Sequence, residues 1–273
     1  MRSAIRNIIL STRRPILDRL SVRAVAIYSL RRMRADYAGF CIRVRRSSDN
    51  TELNIGFVGN VINTAALLAF VGAGDGFVVT KYDQSGNAFN ATQATAANQP
   101  RIVSAGVLNI VNLRSSLSFD GTNHFMLVNS TFTVLSASVV LNALDAGGVF
   151  KDNNGIFASS GGTSNNWTAT AAGGTLVRSL HQSAVFGIAR TNGANDSASN
   201  CQFAPLASLK VLSTVGSTAL SDTAWHFGQD RVITSRRWQG NISELVAFSS
   251  ELSTADRQLL ERDQGTYYGI TVA

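Results

Sequence analysis

A mainly β protein, a sandwich of antiparallel strands, is the fold this sequence predicts, and three observations predict it. Short apolar runs follow one another from residue 101 onward, about ten residues apart, with polar turns between them. Gly is abundant at 23 and Pro scarce at 3, while Ser, Thr and Asn fill the spaces between apolar runs. Helical periodicity is confined to short stretches, mainly near the ends of the chain. Charged residues are 15% and hydrophobic residues 45% of 273, so the chain can bury a sizeable core, as one large β-domain or two small ones.

Taken in order, residues 1–14 are basic and read as an arm. Pro15 opens a helical pattern. Leu17, Leu20, Ala24, Ile27, Leu30, Met33 and Tyr37 recur at three- and four-residue steps on one apolar face, and Gly39 follows the end. Residues 1–37 are therefore expected as a basic arm and helix, and residues 38–273 as the sandwich. A strand is expected over 40–46, where Cys41, Arg43 and Arg45 alternate with Ile42 and Val44. SSDNT at 47–51 is a turn cluster. A short helix over 63–70 takes Asn63 or Thr64 as its cap. Gly72, Gly74 and Gly76 follow that helix, which makes a weak nucleotide loop and a good entry into a strand over 77–82. Further strands are expected at 107–111, 117–119, 124–128, 132–141, 149–150, 155–158, 176–180, 185–189, 208–212 and 242–248. Asp120-Gly121 between apolar runs signals a hairpin. A last helix over 253–263 is capped by Ser253, with Asp256 three positions on.

Charge is split along the chain. Residues 1–46 hold twelve Arg against Asp18 and Asp36, a net +10; the remainder holds 12 basic and 15 acidic residues, a net −3. A cationic arm favours an anionic partner: nucleic acid, a membrane surface or an acidic protein groove. Its few interleaved aromatics disfavour nucleic acid. The alternative is a set of arginines that are solvated or paired within their own assembly. No apolar run reaches the ~18 residues of a membrane span, so no insertion is expected. The start, MRSAIRNIILSTRRP, has too short an apolar core for a secretory signal. Cys41 and Cys201 make no metal spacing and are expected as free buried thiols, with a disulfide between them as the alternative.

The most specific signal lies near the N-terminus. YSLRRMRADY (28–37), RRSSDN (45–50) and YDQSGN (82–87) resemble the opening of the fungal α-L-arabinofuranosidase B catalytic domain, and the shorter copies of that module in tailed-phage virion proteins. NISELVAFSSELSTADRQLLERDQGTYYGI (241–270) resembles the closing strand and helix of concanavalin A/laminin-G-like lectin modules, and SLSFDGTNHFMLV (116–128) their strand, Asp-Gly turn and strand. Together the two ends cover about a third of the chain. The resemblance implies a concanavalin A-like jelly-roll β-sandwich. It also implies a retaining glycosidase with a Glu nucleophile in mid-domain, an Asp acid/base and a pair of adjacent cysteines in the sugar pocket.

The sequence departs from that equipment. Its four Glu are Glu52, Glu244, Glu251 and Glu261, with none from 53 to 243. Retention needs two carboxyl groups roughly 5–5.5 Å apart. Cys41 and Cys201 are not adjacent. Glu244 reads as a structural hydrogen-bonder on the last strand. Asp83 and Asp120 sit in matched motifs and are the remaining Asp pair, although Asp83 also reads as a turn-former. His124, His181 and His226 lack zinc spacing, and no GxSxG elbow occurs. No cofactor is expected. Asp-rich turns such as DNNG at 152–155 could hold Ca²⁺, without EF-hand spacing. Trp167, beside Asn165 and Asn166 in a Gly/Ser/Asn-rich stretch, is the candidate sugar platform, with Asp83. Trp225 and Trp238 read as core.

These readings lead to an expectation of a non-catalytic structural or adhesive module of a tailed-phage virion, in a tail-fibre, receptor-binding or head-decoration role. An α-L-arabinofuranosidase-like glycoside hydrolase is the alternative. Arg2, Ile5, Arg6, Ile9, Arg13 and Arg14 would anchor the arm to other virion proteins or to further copies of the chain, and the sandwich would meet a host-surface glycan.

Overall fold

The structure, a computed structural model, describes residues 14–144, 154–160, 166–169, 177–179, 187–196, 200–202 and 208–273. Strand makes up 44% and helix 14%, which bears out the mainly β class. The first strands are β1 (Ala26–Ser29), β2 (Ile42–Arg46), β3 (Glu52–Ile55), β4 (Phe57–Val58), β5 (Val61–Ile62), β6 (Gly76–Lys81), β7 (Ala91–Thr92) and β8 (Arg101–Ser104). Then come β9 (Val107–Leu108), β10 (Ile110–Val111), β11 (Arg114–Ser115), β12 (Leu117–Asp120), β13 (Met126–Val128), β14 (Phe132–Ala143), β15 (Asn154–Ser159) and β16 (Asn166–Ala169). The last are β17 (Val177–Ser179), β18 (Ile188–Thr191), β19 (Ala194–Asn195), β20 (Asn200–Gln202), β21 (Lys210–Asp222), β22 (Trp225–Phe227) and β23 (Gln239–Phe248). The α-helices are α1 (Thr64–Val71) and α2 (Thr254–Tyr268).

Seventeen of these strands join in one antiparallel network with two arms. In the first arm β19, β18, β21, β14 and β23 lie side by side, and the far edge of β23 pairs with β1 and β12. In the second arm the order is β3, β2, β6, β7, β13, β22, β15 and β16. β8 pairs with both β6 and β12 and so connects the arms. The arms pack face to face: Tyr28 and Phe119 of the first each lie 5.8 Å from Phe227 of the second, ring centre to ring centre. Trp225 stacks between Phe132 at 4.9 Å and Phe157 at 5.0 Å. Trp225 and Trp238 are fully buried, as their sequence context predicts.

The other face of the first arm is covered by α2. β14 therefore has no solvent side: Ala137, Val139 and Leu141 face the main core, while on the α2 side Ser138 donates to Gln264 at 2.6 Å and Val140 packs with Tyr268. Both α-helices begin as predicted. The Asn63 side chain accepts from Ala66 N at 3.0 Å, and Ser253 Oγ accepts from Asp256 N at 3.1 Å. α2 runs five residues beyond the expected end and stops at Gly269, which adopts φ 66.

Two expectations fail. No helix occupies residues 15–38; a 3₁₀ turn, Ile16–Asp18, leads instead to strand β1. The helical spacing arises because both faces of this segment are covered. Ala26, Tyr28 and Leu30 enter the main core, while Ala24, Ile27 and Met33 enter a second cluster with Val246, Phe248 and Leu260 under α2. Periodicity cannot separate such a strand from a buried helix. Asp120-Gly121 also makes no hairpin. β12 pairs with β23 and β8, whereas β13 pairs with β22 and β7, so the turn carries the chain from one arm to the other.

Candidate functional site

Strand register builds one row on the side of the second arm that faces away from the aromatic core, although Ala158 is fully buried and His226 only 5% exposed. Thr80, Thr92, Leu127, His226, Ala158 and Asn166 are direct cross-strand partners in sequence across β6, β7, β13, β22, β15 and β16. Direct partners share a face, and neighbours alternate. Because Trp225 and Phe227 fill the core, His226 takes the outer side. Its Nδ1 lies 3.3 Å from Ser160 Oγ, and its ring 6.0 Å from that of Phe125. Burial pushes the imidazole down to about 4, with Asp222 and Asp230 pulling up and Arg237 down. At neutral pH this histidine is uncharged, with one ring nitrogen already facing Ser160.

The loop from β22 to β23 and the turn after β12 frame that histidine. Arg237 Nη1 donates to Thr122 O at 3.0 Å and Asn123 O at 2.7 Å, its Nε donates to Gln229 Oε1 at 2.9 Å, and its guanidinium stands 4.7 Å over Phe125. Asp120 Oδ1 accepts from Thr122, Asn123 and His124 N at 2.8–2.9 Å. Partial burial raises the Asp120 carboxyl, but those N–H donors and His124 outweigh it, and the group stays below the usual range. Asp230 is buried and accepts from Arg236 at 2.9 Å and Arg231 at 3.1 Å. β15 crosses this loop so closely that a Cβ on Gly155 would lie 1.9 Å from Asp230 N. Only glycine fits there.

Asp83, expected at the sugar site, is not there. It is buried, and its Oδ1 accepts from Ile27 N at 2.8 Å and Ser85 N at 2.9 Å, its Oδ2 from Phe89 N at 3.1 Å. A carboxylate filled by backbone donors between β1 and the 82–90 loop holds a turn, the other reading its motif allowed. Asn166 stands in register with Ala158, next to His226, and Trp167 stands opposite Phe157. Asn165, Arg2, Ile5, Arg6, Ile9, Arg13 and Asp152 lie outside the described residues. Arg14 is exposed. Glu244 is fully buried and accepts from Arg31, Ser29 and Gln264, the structural role its position predicts. Cys41 is a free buried thiol, pushed up to about 12 by burial. No group of three metal-ligating residues occurs among the described residues.

His226 and Arg237 were missed in sequence. The signal available for His226 was alternation in Trp-His-Phe; for Arg237 there was none, because its partners come from a loop 115 residues away.

No family profile and no curated protein matches the sequence. Solved structures do match. The fold resembles that of α-L-arabinofuranosidases. One is a GH54 α-L-arabinofuranosidase soaked with a cyclic sulfate inhibitor, at 16% identity and TM-score 0.62. A second is a Glu-to-Gln mutant of such an enzyme soaked with 4-nitrophenyl α-L-arabinofuranoside, at the same identity and score. A third is an arabinofuranosidase complexed with arabinofuranosyl-α-1,2-xylobiose, at 15% and 0.62. Each match covers 91% of this chain and 63% of the other. The chain thus spans less than two thirds of the enzymes' length. The finding overturns the expectation of a tailed-phage structural module, because the structures that share this fold are arabinofuranosidases.

Proposed function

We propose that this chain is an α-L-arabinofuranosidase-like glycoside hydrolase domain, a concanavalin A-like jelly roll that takes arabinofuranosyl-bearing glycan on the outer row around His226. One observation carries the proposal: the fold likeness to three arabinofuranosidase structures over 91% of the chain. The chemistry of the row agrees. Thr80 and Thr92 offer hydroxyls to a sugar at the surface, while the His226 imidazole, 5% exposed, lies beside the Phe125 ring. Asp120 and Asp222 are the carboxylates of this cluster that reach solvent, and acid–base work on this face falls to them.

A second reading is that the domain holds such a glycan without cutting it. It is favoured by a specific observation: no Glu occurs from 53 to 243, while Glu244 and Glu261 are buried in pairs with Arg31 and Arg190. Two measurements decide. Arabinose release from 4-nitrophenyl α-L-arabinofuranoside, lost in Asp120→Asn or Asp222→Asn with the melting temperature kept, supports hydrolysis. Saturation-transfer NMR binding of an arabinofuranosyl xylo-oligosaccharide, lost in His226→Gln and without release, supports holding. Neither release nor binding overturns both.

A further inference from the structure

On the α2 side of the molecule, away from His226, lies a cleft of about 600 Å³ whose walls carry six arginines: Arg14, Arg19, Arg31, Arg32, Arg114 and Arg262. Against these six stand two carboxylates. Arg31 pairs with Glu244 at 2.9 Å and with Asp263 at 2.6 Å, and Arg19 reaches Asp263 at 3.9 Å. Among the described residues no carboxylate pairs with Arg14, Arg32, Arg114 or Arg262. Arg32 Nε is buried with no hydrogen-bond partner. The rest of the Arg32 side chain is only half-buried, so its guanidinium can turn to an anion in the cleft and gain charge-assisted hydrogen bonds there.

The chain's own N-terminal residues do not supply the anion. Residues 1–13 add Arg2, Arg6 and Arg13 and no acid. The arginines are also partly fixed in advance. Arg31 and Arg114 stand 4.4 and 4.2 Å from the Tyr267 ring, and Arg114 Nε donates to Tyr267 O at 2.8 Å. Arg32 stands 5.3 Å over Phe57. Tyr267, the aromatic among the described lining residues, is covered by two guanidiniums, which leaves its ring poorly placed to stack a nucleic-acid base. The volume is that of a small-ligand site, whereas a duplex spreads over an open surface.

We propose that this cleft binds an acidic oligosaccharide, its uronate carboxylates engaged by the planar forks of Arg14, Arg32 and Arg262 and its hydroxyls by Asn60 and Thr266. The choice of a sugar rests on the carbohydrate reading above; the anionic character of the ligand does not. The test is isothermal titration of the full chain with tetragalacturonate, neutral xylotetraose, inorganic phosphate and a short single-stranded oligonucleotide. The expected result is saturable binding of the uronate alone, weakening steeply with added salt. It should fall ~tenfold or more in Arg32→Ala/Arg262→Ala, a loss of about 1.4 kcal/mol, and stay unchanged in His226→Gln. If the double variant does not fold, Arg262→Glu at an exposed position reverses one charge and serves instead. No uronate binding, tighter binding of phosphate or oligonucleotide, or affinity indifferent to these arginines overturns the proposal. Uronate binding without any arabinofuranosyl binding overturns the function proposed above and leaves the cleft standing.

Discussion

Lys81 is fully buried at the end of β6, and its Nζ has no hydrogen-bond partner. Burial pushes its pKa from 10.5 down to about 8, against the upward pull of Cys41 and Glu244. Between those pH values the unfolded chain binds a proton that the native chain does not. Stability therefore rises with pH across that window, and the penalty is fully present below it. The shift corresponds to something on the order of 3 kcal/mol. Lys81→Met should raise the urea midpoint at pH 7, and its advantage over the parent should shrink between pH 8 and 10.5. A constant difference across that range would mean that the amine is not the source. His226 gives the same sign in acid. Its pKa falls from 6.5 to about 4 through burial, so stability should climb as pH rises through that interval, and His226→Gln should flatten the climb. Trp225, Trp238 and Glu244 could be placed from sequence because their neighbours in the chain set their environment. Lys81 and His226 could not, since one sits on a strand whose fully covered face no local pattern reveals, and the other depends on which side of β22 the core lies.

At the scale of elements, the contact between β1, β23 and α2 holds the covered face of the first arm together. Arg31 donates to both oxygens of Glu244, at 2.9 and 3.1 Å, and Gln264 and Ser29 complete the carboxylate. Burial alone would raise that carboxyl, but Arg31 first and then the hydrogen bonds keep it below its ordinary value. Truncating one partner strands the other in a dry site. Glu244→Ala should cost ~3–5 kcal/mol, read as a drop in the denaturation midpoint. Ser253→Ala, which removes only the α2 cap, should cost about 1 kcal/mol. The capped helices were legible for that reason: a cap is a local signal. β1 was not, because its partner β23 lies more than 200 residues away and both of its faces are apolar. The crossing at Asp120-Gly121 failed likewise, since a two-residue signal says how sharply the chain turns and nothing about where each strand pairs.

At the scale of the whole molecule, the N-terminal segment tests how the fold closes. Ile16, Ile27 and Met33 lie in the cluster under α2, while Tyr28 and Leu30 lie in the main core; all five are at most 2% exposed. Removing residues 1–37 would open both regions at once, take away the strand on one edge of β23 and leave Glu244 without Arg31. Burial of one large side chain contributes ~1.5–3 kcal/mol, so five such losses approach or exceed the ~5–15 kcal/mol by which a whole domain is stable. A chain of residues 38–273 should therefore not fold: it should aggregate on expression, or show no cooperative melting by calorimetry. The matching control is Tyr28→Phe in the full chain. It removes only the hydroxyl that donates to Phe89 O and keeps the ring, so it should lose no more than ~1–3 kcal/mol and melt cooperatively. If residues 38–273 melted at the temperature of the full chain, β1 would be a dispensable edge, and the two clusters would close without it.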